Sequence, residues 1–275
     1  KHIAEDSMGK KLNSAPVYYT VVQVQFNPVL DLEGYIPAIQ SKMREAHFPD
    51  YQKEVFQQLV LPFSGAEQGQ MAAPTVAPQS RYRFGDIGGR SLFILETNSL
   101  SLQTTSYDTY EVFSESFLKG LGILNEALRL DFVARIGLRY IDAVQPADGE
   151  TLRDFLVPEV LGLATRIDGT LQHSLSESVL STGAGQLVSR VLIRHGQVGL
   201  PMELAGSAPA IDPRFTQREG LHAIIDSDAS INQREAFDLE KVRAQLMALH
   251  DEVAKAFKAT ITDHAWASWA KGGTQ

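Results

Sequence analysis

The stretch LDFVARIGLRYIDAV, residues 130–144, decides the fold class. Its side chains alternate with the two-residue period of a strand. Phe132, Ala134, Ile136, Leu138 and Tyr140 point one way, and Val133, Arg135, Gly137, Arg139 and Ile141 point the other. On the N-terminal side, residues 109–128 place Tyr110, Phe113, Phe117, Leu121, Leu124 and Leu128 on one face of a helix. Residues 81–87 and 91–104 read as a hairpin around Gly88-Gly89, and residues 54–61 as a further strand. Leu32, Ile36, Ile39 and Met43 recur at helical spacing after a β-rich stretch at 18–26.

On the C-terminal side, residues 151–163 form a short helix interrupted at Pro158. Residues 170–181, 186–195 and 221–231 read as strands. Asp238 caps a last helix whose face runs Leu239, Val242, Leu246, Leu249, Val253, Phe257, Ile261 and Trp266. The order is strand, helix, three strands, helix, and then the same again from about residue 130. Strands joined by short turns make antiparallel meanders, which bury one face against helices. The expectation is an α+β fold of two pseudo-repeats, with a curved antiparallel sheet and helices on one face. Residues 1–14 are a tail, 15–129 the first half and 130–270 the second, packed as one globular unit. Residues 62–80 and 196–220 lack periodicity, carry several Gly and Pro, and read as long irregular loops.

Composition narrows the chemistry. The 275 residues include no cysteine, which excludes disulfide scaffolds, thiolate metal sites and cysteine nucleophiles and fits a cytoplasmic setting. The acidic balance, 33 acids against 25 bases, argues against nucleic acid as a partner; Arg81, Arg83 and Arg90 are the densest basic group. No stretch reaches the length of a membrane-spanning helix. Residues 1–11 lack the apolar run of a signal peptide, and Met8 is a candidate natural start.

No phosphate-binding loop, HExxH or GxSxG is present, and Gly183-Ala184-Gly185 joins two strands rather than a strand and a helix. The seven histidines include no helical pair three or four apart, so no metal and no cofactor is expected. Four features invite attention. Asp226 and Asp228 share a strand face, suited to a divalent cation or a general base, or else to a solvated strand end. Arg135 and Arg139 flank Gly137, whose missing side chain leaves a gap. Two guanidiniums over a gap suit a carboxylate or phosphate; the alternative is an ion pair to a neighbouring strand. His250 edges the last helix's apolar stripe, either as a base or as a half-buried residue bonded to a neighbour. Trp266 and Trp269 either anchor a partner or staple the helix end to the sheet.

RIGLRYID, residues 135–142, resembles a strand motif of a family of uncharacterised, sporadically distributed bacterial proteins of similar length. The resemblance extends over the strand-then-helix opening from Pro16, the aromatic helix entry Tyr107, Tyr110 and Phe113, IIDSD at 224–228, and LHDEVAKAFKATIT at 249–262. The family's usual last motif residue is Asn, where this chain has Asp142. The resemblance implies no activity. It directs attention to Arg135, Arg139, Tyr140, Asp226, Asp228 and His250, and the family's patchy distribution is like that of accessory, defence and toxin–antitoxin loci. The first functional expectation is a non-enzymatic interaction or adaptor subunit with a protein partner or a second copy. A small anionic-ligand binder using Arg135, Arg139 and Tyr140 is the second, and a metal-assisted hydrolase using Asp226, Asp228 and His250 the third.

Overall fold

The computed structural model describes residues 14–60 and 75–271. β1 (Val17–Phe26) leads through α1 (Leu32–Glu45) to β2 (Asp50–Val60), β3 (Thr75–Gly85), β4 (Ser91–Glu96) and β5 (Ser99–Thr104), and then to α2 (Tyr110–Leu128). β6 (Phe132–Val144) follows, with short helices α3 (Leu152–Phe155) and α4 (Pro158–Leu161), then β7 (His173–Ser181) and β8 (Gln186–Gln197). The short helices α5 (Met202–Ala205) and α6 (Pro213–Thr216) precede β9 (Glu219–Ile231) and the two-residue β10 (Glu235–Ala236). α7 (Leu239–Thr260) and α8 (Asp263–Lys271) complete the fold.

The strands form one antiparallel, open sheet of ten, in the order β2-β3-β4-β5-β1-β6-β9-β8-β7, with β10 on β6. The fold is therefore mixed α+β. In each half the first strand, β1 or β6, lies beside the last long strand of its own meander, β5 or β9, and the two first strands meet antiparallel at the centre.

Several boundaries differ from the sequence reading. Residues 91–104 are two strands, because the chain reverses at Thr97-Asn98 and pairs Glu96 with Ser99. The first half thus has four strands after its helix and the second has three long ones. The long last helix is broken at Ile261, which leaves the helix to bridge Leu156. Of the expected loop at 62–80, residues 62–74 lie outside the described residues, as does most of the tail; residues 75–80 belong to β3. The segment 196–220 is not a loose loop, since it contains α5 and α6 and buries Val198 and Phe215.

α1, α2 and α7 cover one face of the sheet. Ile36, Ile39 and Met43 of α1, Phe117, Leu121 and Leu124 of α2, and Leu246, Leu249 and Val253 of α7 pack on Val22, Val24, Leu102, Ile136 and Leu138. A second apolar cluster on the same face joins Val144, Val191, Ile193 and Ile225 to Phe155, Leu161 and Trp269. The opposite face has a smaller cluster, in which Tyr18, Tyr19, Ile141 and Ile224 meet Val198 and Phe215. The helices therefore gather on one face apart from α5 and α6, which lie across the other.

Candidate functional site

The face opposite the long helices carries the polar side chains of the central strands. Directly paired residues of an antiparallel sheet share a face. Gln103, Val21, Arg139 and Asp228 form one row across β5, β1, β6 and β9, and Ser101, Gln23, Gly137 and Ser230 form the next. The segment between β8 and β9 roofs this face. Tyr18 Oη donates to the Gly199 carbonyl at 2.8 Å, Thr105 Oγ1 to the Ala210 carbonyl at 2.8 Å, and Arg90 Nη2 to Asp212 at 3.0 Å. Pro201 and Pro213 sit where α5 and α6 begin, a position at which proline's missing N–H costs no helical bond. Between floor and roof lies a cavity of about 320 Å³, lined in part by Arg81, Gln103, Arg135, Arg139, Asp228 and Glu203.

Arg139 is committed to the structure. Its Nε and Nη2 donate to the two carboxylate oxygens of Asp226, each at 2.7 Å, and Nη2 also reaches Glu203 of the roof at 3.0 Å. Burial opposes its charge, but the bonds to Asp226 outweigh it, and the guanidinium is held above its ordinary pKa. Removing one partner of such a buried pair costs about 3–5 kcal/mol, because the other is left uncompensated. Asp226 is also approached by Arg190 at 3.6 Å.

Arg135 has a different situation. Its guanidinium folds back over Gly137, where an added Cβ would lie 2.6 Å from Nη1. The gap that glycine leaves is filled by the arginine two residues earlier rather than by a neighbouring backbone. Nη1 reaches Gln23 Oε1 at 3.5 Å, and among the described residues Arg135 has no ion pair. It lines the cavity beside Asp228, whose carboxyl is pushed up by burial and pulled back by Arg139 and Arg135.

Tyr140 and His250 lie elsewhere. Tyr140 points to the helix-covered face, where its hydroxyl donates to Tyr107 at 3.2 Å and lies 3.3 Å from His250 Nδ1. His250 stacks on Tyr110 with ring centroids 4.2 Å apart, and burial pushes its pKa down, against the pull of Asp251 and Glu111. Two groupings from the sequence therefore need correction. Tyr140 does not join Arg135 and Arg139, and His250 does not join Asp226 and Asp228, because the sheet stands between them. Asp226 and Asp228 lie within β9 rather than at its end. Trp269 staples α8 to the second apolar cluster, stacking on Phe257. Among the described residues, no group of three His, Asp or Glu side chains is placed to hold a metal ion.

Sequence reasoning missed Ser99, Ser101, Gln103 and Glu203. The first three had a signal: in SLSLQT, polar residues alternate with Leu100 and Leu102, so one face of β5 is polar. Glu203 had none, since its position depends on how the roof folds back. What the arrangement can do is hold a small molecule's anionic group at Arg135, with hydroxyl and amide groups around it. No protein-family model matches the chain, and no curated protein matches it.

Proposed function

We propose that the protein binds a small molecule in the roofed cavity, with an anionic group of the ligand on Arg135. The observation that carries this reading is a guanidinium without an ion pair among the described residues, held over Gly137 in a cavity of about 320 Å³. That volume is within the range of small-ligand sites, about 300–1,000 Å³. The test is calorimetric titration of the parent, Arg135→Ala and Gly137→Ala with small carboxylates, phosphates and amino acids. Gly137→Ala places a methyl where the guanidinium rests, and the nearest atoms it meets are the end of that flexible side chain. Binding to the parent that weakens about tenfold or more in both variants, with melting temperatures close to the parent's, supports the reading. Equal binding in all three proteins, or none to the parent, ends it.

A second reading is the interaction subunit, and one observation favours it. β7 is an edge of the sheet, and Leu175, Val179 and Leu180 on it are 59%, 55% and 51% exposed. An edge strand with exposed apolar side chains is a template for strand addition by a partner. The family resemblance at RIGLRYID and a role in an accessory bacterial system belong with this reading, as does duplication of the two halves, which the matching placement of β1 and β6 supports. Light scattering and co-purification of the same preparations with Val179→Lys decide it: a partner or second copy retained by the parent and by Val179→Lys alike would exclude β7 as the contact.

A further inference from the structure

We propose that the ligand is a zwitterion of amino-acid type, with its carboxylate on Arg135 and its protonated amine on Asp228. The inference rests on the cavity reading above and concerns the class of molecule the cavity takes. Arg81 is paired with Glu54, and Arg139 with Asp226 and Glu203, which leaves Arg135 as the guanidinium with no ion pair among the described residues. Against it stand two acceptors. The Asp228 carboxylate has no hydrogen bond or ion pair among the described residues, and Gln103 Oε1 is buried without a donor, the residue being only 5% exposed. Both occupy the row that contains Arg139, one on each side.

A plain anion would satisfy Arg135 and leave these acceptors as they are. It would also enter beside the carboxylates of Asp228, Glu96 and Glu203, all of which line the cavity. Like charges at close range in a partly buried site cost free energy that one guanidinium must offset. A ligand carrying an ammonium as well converts Asp228 from a liability into a charge-assisted hydrogen bond and can offer Gln103 a donor. Arg135 and Asp228 form no ion pair among the described residues, yet both line the cavity and the guanidinium favours the ionised form of the Asp228 carboxyl, so one molecule carrying both charges can address the two groups. Val21, Ile94 and Leu204 supply an apolar wall for an aliphatic portion, and among the described residues no aromatic ring lines the cavity to stack a nucleobase.

The experiment titrates the parent protein with three matched probe sets: common L-amino acids and their dipeptides, the carboxylates obtained by removing the amine, and the amines obtained by removing the carboxylate. The expected result is that at least one zwitterion binds, and that loss of either charge weakens it about tenfold or more. In Asp228→Asn, which keeps the shape and removes the charge, the advantage of that zwitterion over its deaminated carboxylate should shrink to about twofold or less; in Arg135→Gln both should weaken together. If carboxylates bind as tightly as the matched amino acids and Asp228→Asn changes nothing, the zwitterion proposal fails while the anion site stands. If no probe binds in an Arg135-dependent way, both fail. Thermal melts of each variant separate lost binding from lost folding.

Discussion

Asp142, the position where the chain departs from the motif it resembles, lies on the helix-covered face of β6, opposite Val17 and Ile225. Burial is the main reason its carboxyl is pushed from 3.8 up to about 8, and the charge of Asp226 beyond the sheet adds to it. The neutral acid is the form the fold accommodates. Stability from this group is full below its ordinary pKa and is lost as pH rises through about 8, because over that window the folded state holds a proton that the unfolded state has released. Asp142→Asn keeps the shape without the titration. We expect urea midpoints of the parent to fall relative to the variant between about pH 4 and about pH 8. Parallel midpoints across that range would mean that Asp142 is ionised and compensated in the fold. That Asp142 is buried follows from β6 being central, which its sequence did not specify. The alternation along residues 135–144 was legible, whereas Val133 was assigned to the wrong face. A register shift between Gln25 and Phe26 places Val133 opposite Phe26, and a bulge of this kind leaves no mark in a hydrophobic pattern.

At the scale of elements, α2 contains two glycines that should respond oppositely to the same substitution. A Cβ on Gly120 would lie 2.5 Å from ring atoms of Phe93, which is buried in the core and edge-on to Phe48. Gly122 is two positions along, and a Cβ there would meet only Leu239 at 3.9 Å. Alanine is worth about 1 kcal/mol over glycine within a helix, and overpacking a core costs about 1–3 kcal/mol. Gly122→Ala should therefore stabilise by about 0.5–1 kcal/mol, and Gly120→Ala should destabilise despite the same propensity gain. Denaturant melts of the two variants check this; a stabilised Gly120→Ala would show that the contact with Phe93 relaxes freely. The long elements were legible because apolar spacing is a local property: Leu32, Ile36, Ile39 and Met43 are the buried face of α1 as the pattern predicts. Two boundaries were missed for physical reasons. The reversal at Thr97-Asn98 had only a two-residue signal, and asparagine in a two-residue turn was the clue. The break between α7 and α8 has none, because Ile261 keeps its place in the apolar sequence while leaving the helix to pair with Leu156.

At the scale of the molecule, the two halves are bound together at the central strand pair, through α7 and by the roof. β1 and β6 pair along almost their full length at the centre of the sheet. α7 begins over the first apolar cluster, with Val242 and Leu246, and ends at the second, against which Phe257 packs. On the opposite face, the roof segment from the second half is tied to the first half by Arg90 with Asp212 and by Thr105 with the Ala210 carbonyl. A half made alone would expose the long edge of β1 or β6 together with the apolar surface beneath α7. The chain should therefore unfold as one cooperative unit. The two tryptophans make this testable without labels. Trp266 and Trp269 both belong to α8 and pack with the second apolar cluster, so their fluorescence reports only the second half. Far-ultraviolet circular dichroism reports helices of both halves, α1 and α2 included. For a two-state transition, the two probes give coincident curves in denaturant. We expect one midpoint and one slope from both signals. A fluorescence transition that precedes the loss of helicity would show that the second half can melt while the first stands, and that the central strand pair and α7 do not couple them. Val24→Asp then serves as a control: Val24 is fully buried on the face covered by the helices, in the half that carries no tryptophan. In a single cooperative unit, this substitution shifts the tryptophan transition as far as the helical one; in two independent units, it leaves the fluorescence midpoint where it was.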